Sequence, residues 1–67
     1  MDILVFKTSV VRKKQVKQLG AALDAFGRWS FDLEDCDHIL RVEAQKAPQS
    51  EIIQLLNKHG FHCEELL

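Results

Sequence analysis

Long apolar runs are missing from this chain, and so is an excess of charge of either sign. The first apolar stretch, Ile3-Leu4-Val5-Phe6, is four residues long and follows Met1-Asp2 with no basic lead. A signal peptide needs an apolar core of about 7–15 residues and a membrane span needs about 20, so the sequence predicts neither. Nine Lys and Arg stand against ten Asp and Glu, a formal net charge of −1, so no global charge draws the chain to nucleic acid or to an anionic membrane. Its two cysteines, Cys36 and Cys63, are too few for a disulfide scaffold, and the expected setting is a reducing cytoplasm. Catalytic patterns are absent as well. There is no Gly-rich phosphate loop, no His-x-x-x-His pair, and nothing beside Ser9 that would serve it as a base. The expectation is a protein that is not an enzyme and carries no cofactor.

What is present is globular. With 46% hydrophobic and 28% charged residues, the chain lies well away from the disordered class. Its 67 residues allow one domain, 1–67, with no linker, repeat or low-complexity segment. A chain of this size buries roughly 60% of the surface its unfolded form exposes, which leaves a thin core and little room for a deep cleft.

Hydrophobic spacing divides the chain into six elements. Residues 3–6 read as a buried strand, β1. Thr8 or Ser9 is placed to cap a helix, α1, within residues 11–26, where Val16, Leu19, Leu23 and Phe26 recur at steps of three and four. Gly27 stands at its expected C-terminal cap. Gly20, unfavourable inside a helix by roughly 1 kcal/mol against alanine, marks a close helix–sheet contact. Strict alternation follows: Trp29, Phe31 and Leu33 inward with Arg28, Ser30, Asp32 and Glu34 outward (β2, 28–34), then Leu40, Val42 and Ala44 inward (β3, 40–44). The connection through Asp35-Cys36-Asp37 makes these two an antiparallel hairpin. Pro48 opens a second helix (α2, 48–59) at its first position, Ile52, Ile53, Leu55 and Leu56 form its buried side, and Gly60 ends it. Phe61 and Cys63 point inward from a last strand (β4, 61–64). The order βαββαβ, with right-handed crossovers, predicts an α+β ferredoxin-like sandwich: a four-stranded antiparallel sheet with both helices on one face.

The stretch 48–65, with its Gly-aromatic-x-small end at Gly60-Phe61-His62-Cys63, resembles the second helix and last strand of the heavy-metal-associated domains of copper chaperones and metal-pumping ATPases. The hairpin 31–44 resembles that family's second and third strands, and Val16, Leu19 and Leu23 fall where its first helix places core residues. The family's metal motif, Met-x-Cys-x-x-Cys in the β1–α1 loop, is replaced. Lys7 stands at the methionine position, and Ser9 and Arg12 stand at the two cysteines. A hydroxyl is a poor ligand for a soft metal, and a fixed guanidinium repels one. The resemblance therefore implies the fold with a degenerate metal site.

Three features remain as candidates. The topology gathers the β1–α1 loop, the β2–β3 turn and the α2–β4 loop at one end, with all three histidines and both cysteines at or near it. His59, His62 and Cys63, or Cys36 with His38, would make an alternative nitrogen–sulfur site for Zn(II) or Cu(II). Against this, Cys63 is expected in the core and His62 on the opposite face. Arg12, Lys13, Lys14 and Lys17 form a basic cluster at the start of α1, opposing the helix dipole, and read either as a solvated helix face or as a dock for an acidic protein partner or a phosphate. The strand β1 is read with Ile3 and Val5 toward the helices, which turns Leu4 and Phe6, with Ile39, to the open face as an apolar patch fit for self-association in a homodimer. Base stacking by RNA would need exposed aromatics on β1 and β3; Phe6 alone qualifies, and β3 has none. The sequence thus leads to a non-catalytic interaction module or homodimer. A metal-handling protein is the alternative, and a small-ligand regulatory domain is a third class with no motif behind it.

Overall fold

The computed structural model describes residues 2–46 and 48–66. Its elements run β1 (Asp2–Thr8), α1 (Lys13–Leu23), β2 (Gly27–Asp32), β3 (Ile39–Ala44), α2 (Gln49–Lys58) and β4 (Cys63–Glu65). The strands form one antiparallel sheet in the order β2-β3-β1-β4. This is the ferredoxin-like α+β arrangement. Leu19 and Leu23 of α1 and Ile52 and Leu56 of α2 are fully buried in one core with Phe6, Leu40 and Val42 of the sheet. Both helices therefore bury their apolar stripes against the same side of the sheet. Removing a side chain such as Phe6 from water contributes roughly 1.5–3 kcal/mol.

The orientation of β1 is the reverse of the sequence expectation. Leu4 and Phe6 face the helices, at 5% and 0% exposure, and Ile3 stands on the open face at 66%. They are core residues and not a docking patch. The cross-strand register shows why: Leu4 lies opposite Val42 and Phe6 opposite Leu40, and each pair shares a face. Ile39, opposite Lys7, does belong to the open face, although it is nearly covered there.

Helix boundaries differ as well. Arg12, not Thr8 or Ser9, is the N-cap of α1, and Gln15 folds back so that its Oε1 accepts the N–H groups of Val11 and Arg12 at 3.0 and 3.1 Å. Val11 thus lies outside the helix. Asp24, not Gly27, is the C-cap. Gly27 instead opens β2 at φ 143°, where a side chain would run into the carbonyl oxygen of Glu43. Pro48 is the N-cap of α2 rather than its first helical residue, and the Ala47 that precedes it lies outside the described residues.

Other expectations hold. Gly20 lies directly under the sole tryptophan; a Cβ there would sit 2.8 Å from Cζ2 of Trp29. On the same edge of the indole, Nε1–H donates to Asp24 Oδ1 at 2.6 Å. Gly60 ends α2 at φ 87°, with its own N–H donating to Asn57 O and that of Phe61 to Leu56 O, the double bond pattern of a Schellman cap. No helix among the described residues is long and apolar enough to cross a membrane.

Candidate functional site

The three loops do meet at one end of the sheet, and the residues that join them are Thr8 and Ser9. The Thr8 hydroxyl, on a residue only 4% exposed, donates to His38 O at 2.7 Å and accepts from Val10 N at 3.2 Å. Its backbone N–H donates to Asp37 O. Ser9 is tied to the other side: its N–H donates to His62 O at 3.1 Å, and its Oγ accepts from His62 N at 2.8 Å. The β2–β3 turn and the entry to β4 therefore flank the β1–α1 loop. From the sequence, Thr8 is legible only as a helix cap, and Ser9 as a cap and as a position of the degenerate metal motif. Thr-x-Val is a local hydroxyl–backbone turn that the sequence does carry. The partners thirty and fifty-three residues away are not legible in it.

Around that loop the titratable groups divide. Lys7 and Asp37 approach to 3.6 Å, as do His62 and Glu64, all of them well exposed. Such surface pairs contribute little in water. Among the described residues, one group of three metal-binding side chains has its donor atoms within 4.8 Å of one another: Asp35, Cys36 and Asp37, all on the turn. Asp35 Oδ1 already accepts the Asp37 N–H at 2.8 Å. His38 is not part of that group; it takes a left-handed backbone at φ 48°, and its Nδ1 is buried with no partner among the described residues.

His59, His62 and Cys63 do not converge. His59 is the exposed C-cap of α2, His62 is exposed beside Glu64, and Cys63 is buried at 6% exposure in the core. Burial pushes the Cys63 thiol from 9.0 up to about 12. It is therefore protonated at neutral pH, whereas a metal takes the thiolate. At the positions of the degenerate motif, Ser9 holds His62 in place and Arg12 is exposed at the start of α1.

The basic cluster is as expected on the surface. Lys13, Lys14 and Lys17 are exposed on α1, whose first turn carries no acidic residue. Lys13 stands at the mouth of a shallow groove floored by Val16, Phe31 and Leu33, with Asp32 and Glu34 along its rim. This groove lies beside the outer edge of β2, a strand that sequence reasoning treated only as half of a hairpin.

That edge is open. No strand among the described residues pairs with the outer side of β2. Its helix-side residues Trp29 and Phe31 are half-buried, with ring centroids 5.9 Å apart in an edge-to-face contact. On the opposite face Arg28, Ser30 and Asp32 are exposed.

No family model matches the chain, nor does any curated protein or solved structure. Fold and site together define a ferredoxin-like α+β domain with one unpaired aromatic edge.

Proposed function

We propose that the chain is a non-catalytic interaction domain that docks protein through the outer edge of β2. The resemblance to heavy-metal-associated domains is kept as a likeness of fold, with the soft-metal site lost at Ser9 and Arg12. The observation that carries the proposal is the edge itself: six residues long, with Trp29 and Phe31 half-exposed along it. Free edges of that length offer their backbone groups to another strand, and the two charges on this one, Arg28 and Asp32, are of opposite sign. The acid-rimmed groove next to it, with Lys13 at its mouth, supplies side-chain selectivity beside the backbone pairing.

A second reading, a metal-handling protein, is favoured by the clustered donors of Asp35, Cys36 and Asp37. Native mass spectrometry of the purified protein with added Cu(I) and Zn(II) separates the two. The docking reading expects a metal-free protein in assembled form. One equivalent of metal bound to a monomer, and lost on Cys36→Ser, would replace it with the second.

A further inference from the structure

Two hydrogen bonds fix which way each backbone group points across the sheet. Val5 O accepts from Leu66 N, so the amide and carbonyl of Val5 face β4, and Thr8 N donates to Asp37 O on the opposite side. Bonding direction alternates along an antiparallel strand. Leu4 and Phe6 therefore bond toward β3, and Ile39, Arg41 and Glu43 of β3 bond toward β2. Their partners there are Asp32, Ser30 and Arg28. Gly27, Trp29 and Phe31 are left with N–H and C=O directed away from the sheet.

A second β2 strand, antiparallel about a two-fold axis, fits this edge. Five registers pair the outward-facing residues, with Gly27, Arg28, Trp29, Ser30 or Phe31 on the axis. With Gly27 on the axis Arg28 faces Phe26, and with Arg28 on the axis the two guanidinium groups face each other. With Ser30 on the axis, Arg28 of each copy lies opposite Asp32 of the other, and Trp29 lies opposite Phe31. With Trp29 on the axis, Arg28 faces Ser30 and Asp32 has no cation. With Phe31 on the axis, Arg28 would need Glu34, which lies past the end of the strand. Charge and aromatic matching thus select one register.

Building on the docking role of this edge, we propose that the occupant is a second copy of the chain, joined β2 to β2 with Ser30 on the two-fold axis. Each copy contributes its four strands to one continuous sheet. The Arg28–Asp32 pairs lie on the open face, and the four Trp29 and Phe31 rings form one cluster on the helix side. The cross-strand pairs are of the kinds that stabilise antiparallel strands.

Cysteine cross-linking reads the register directly. Ser30 would face its own mate at a non-hydrogen-bonded position, with Cα atoms about 4.5 Å apart. That lies within the span of a disulfide. The two copies of position 28 would stand four residues apart along the strands, about 13 Å, beyond disulfide reach. In a Cys36→Ser background, which removes the exposed native thiol, Ser30→Cys should convert almost fully to a covalent dimer under mild oxidation. Arg28→Cys should stay uncross-linked, and sedimentation of the unoxidised protein should show a dimer. A dimer that does not cross-link through Ser30→Cys, or that cross-links equally through Arg28→Cys, overturns the register and leaves the docking role of the edge standing. A monomer at every concentration overturns the second copy as occupant. A stoichiometric metal adduct on a monomer in native mass spectrometry overturns the docking reading itself.

Discussion

The two edges of the sheet are built differently. β4 is three residues long and two of them are glutamates; β2 is six residues long and carries Trp29 and Phe31. Short edge strands with charges of one sign resist pairing, whereas a longer one with aromatic residues and charges of both signs, as in Arg28 and Asp32, invites it. The loop region beside β4 is also closed upon itself, because Ser9 and His62 exchange two hydrogen bonds. On the β2 side the corresponding groups point to solvent. The difference teaches that polar residues clustered at one end of a small domain can serve to join its loops. Here the loop end spends the hydroxyls of Thr8 and Ser9 on holding loops together, and the longer unpaired edge lies on β2.

The largest effect belongs to the strand between the two edges. Phe6→Ala should cost about 3–5 kcal/mol in urea unfolding, as a large aromatic lost from a packed core does. Ile3→Ala, on the exposed side of the same strand, should stay within about 0.5 kcal/mol. Equal costs would mean that β1 is turned over and that the whole assignment of faces is wrong.

Each edge can then be loosened separately. Gly20→Ala drives a methyl against Trp29 and should destabilise by about 1–3 kcal/mol despite the better helix former. The displaced indole should show as a changed Trp29 fluorescence, and combining Gly20→Ala with Trp29→Phe should recover much of the loss. On the β4 side, Thr8→Val leaves Val10 N and His38 O without the hydroxyl they share and should cost about 1–3 kcal/mol. Ser9→Ala removes a more exposed bond and should cost less, about 0.5–1.5 kcal/mol. Thermal melts of the four variants give the ranking.

A smaller effect is expected with pH. Cys63 is raised by burial to about 12 from 9.0. Above about pH 9 the unfolded thiol loses its proton while the folded one keeps it. The unfolded state then binds fewer protons, and stability falls as pH rises from about 9 toward 12. Below pH 9 the residue contributes no slope. Unfolding free energies measured from pH 7 to 11 should decline less steeply in Cys63→Ala than in the parent protein.

Much of the fold was legible because its signals are redundant. Alternation in 28–34 and 40–44, apolar steps of three and four in both helices, and a glycine after α2 all pointed to one topology. The facing of β1 was not legible from Ile3-Leu4-Val5-Phe6 alone, since four apolar residues carry no polar marker for either face. Extending the pattern by one residue would have settled it: Lys7 is charged, and Val5 and Ile3 share its side. The start of α1 was misplaced because Thr8 and Ser9 have the right chemistry for a cap but are engaged by distant backbone. That Cys63 would be buried and His62 exposed followed from strand alternation. The open edge of β2 was implicit in the strand order, yet its importance emerged only with the bonding direction of Trp29 and Phe31.

The most direct test of the β2 edge is a charge swap read by sedimentation velocity. Arg28→Asp should face Asp32 of its mate, and Asp32→Arg should face Arg28 of its mate, so each variant alone should sediment as a monomer. Mixed in equal amounts, each supplies what the other lacks, and a heterodimer should form. If both variants alone remain dimers as the parent does, or if all three proteins are monomers alone and mixed, the edge does not join two copies in the way proposed here.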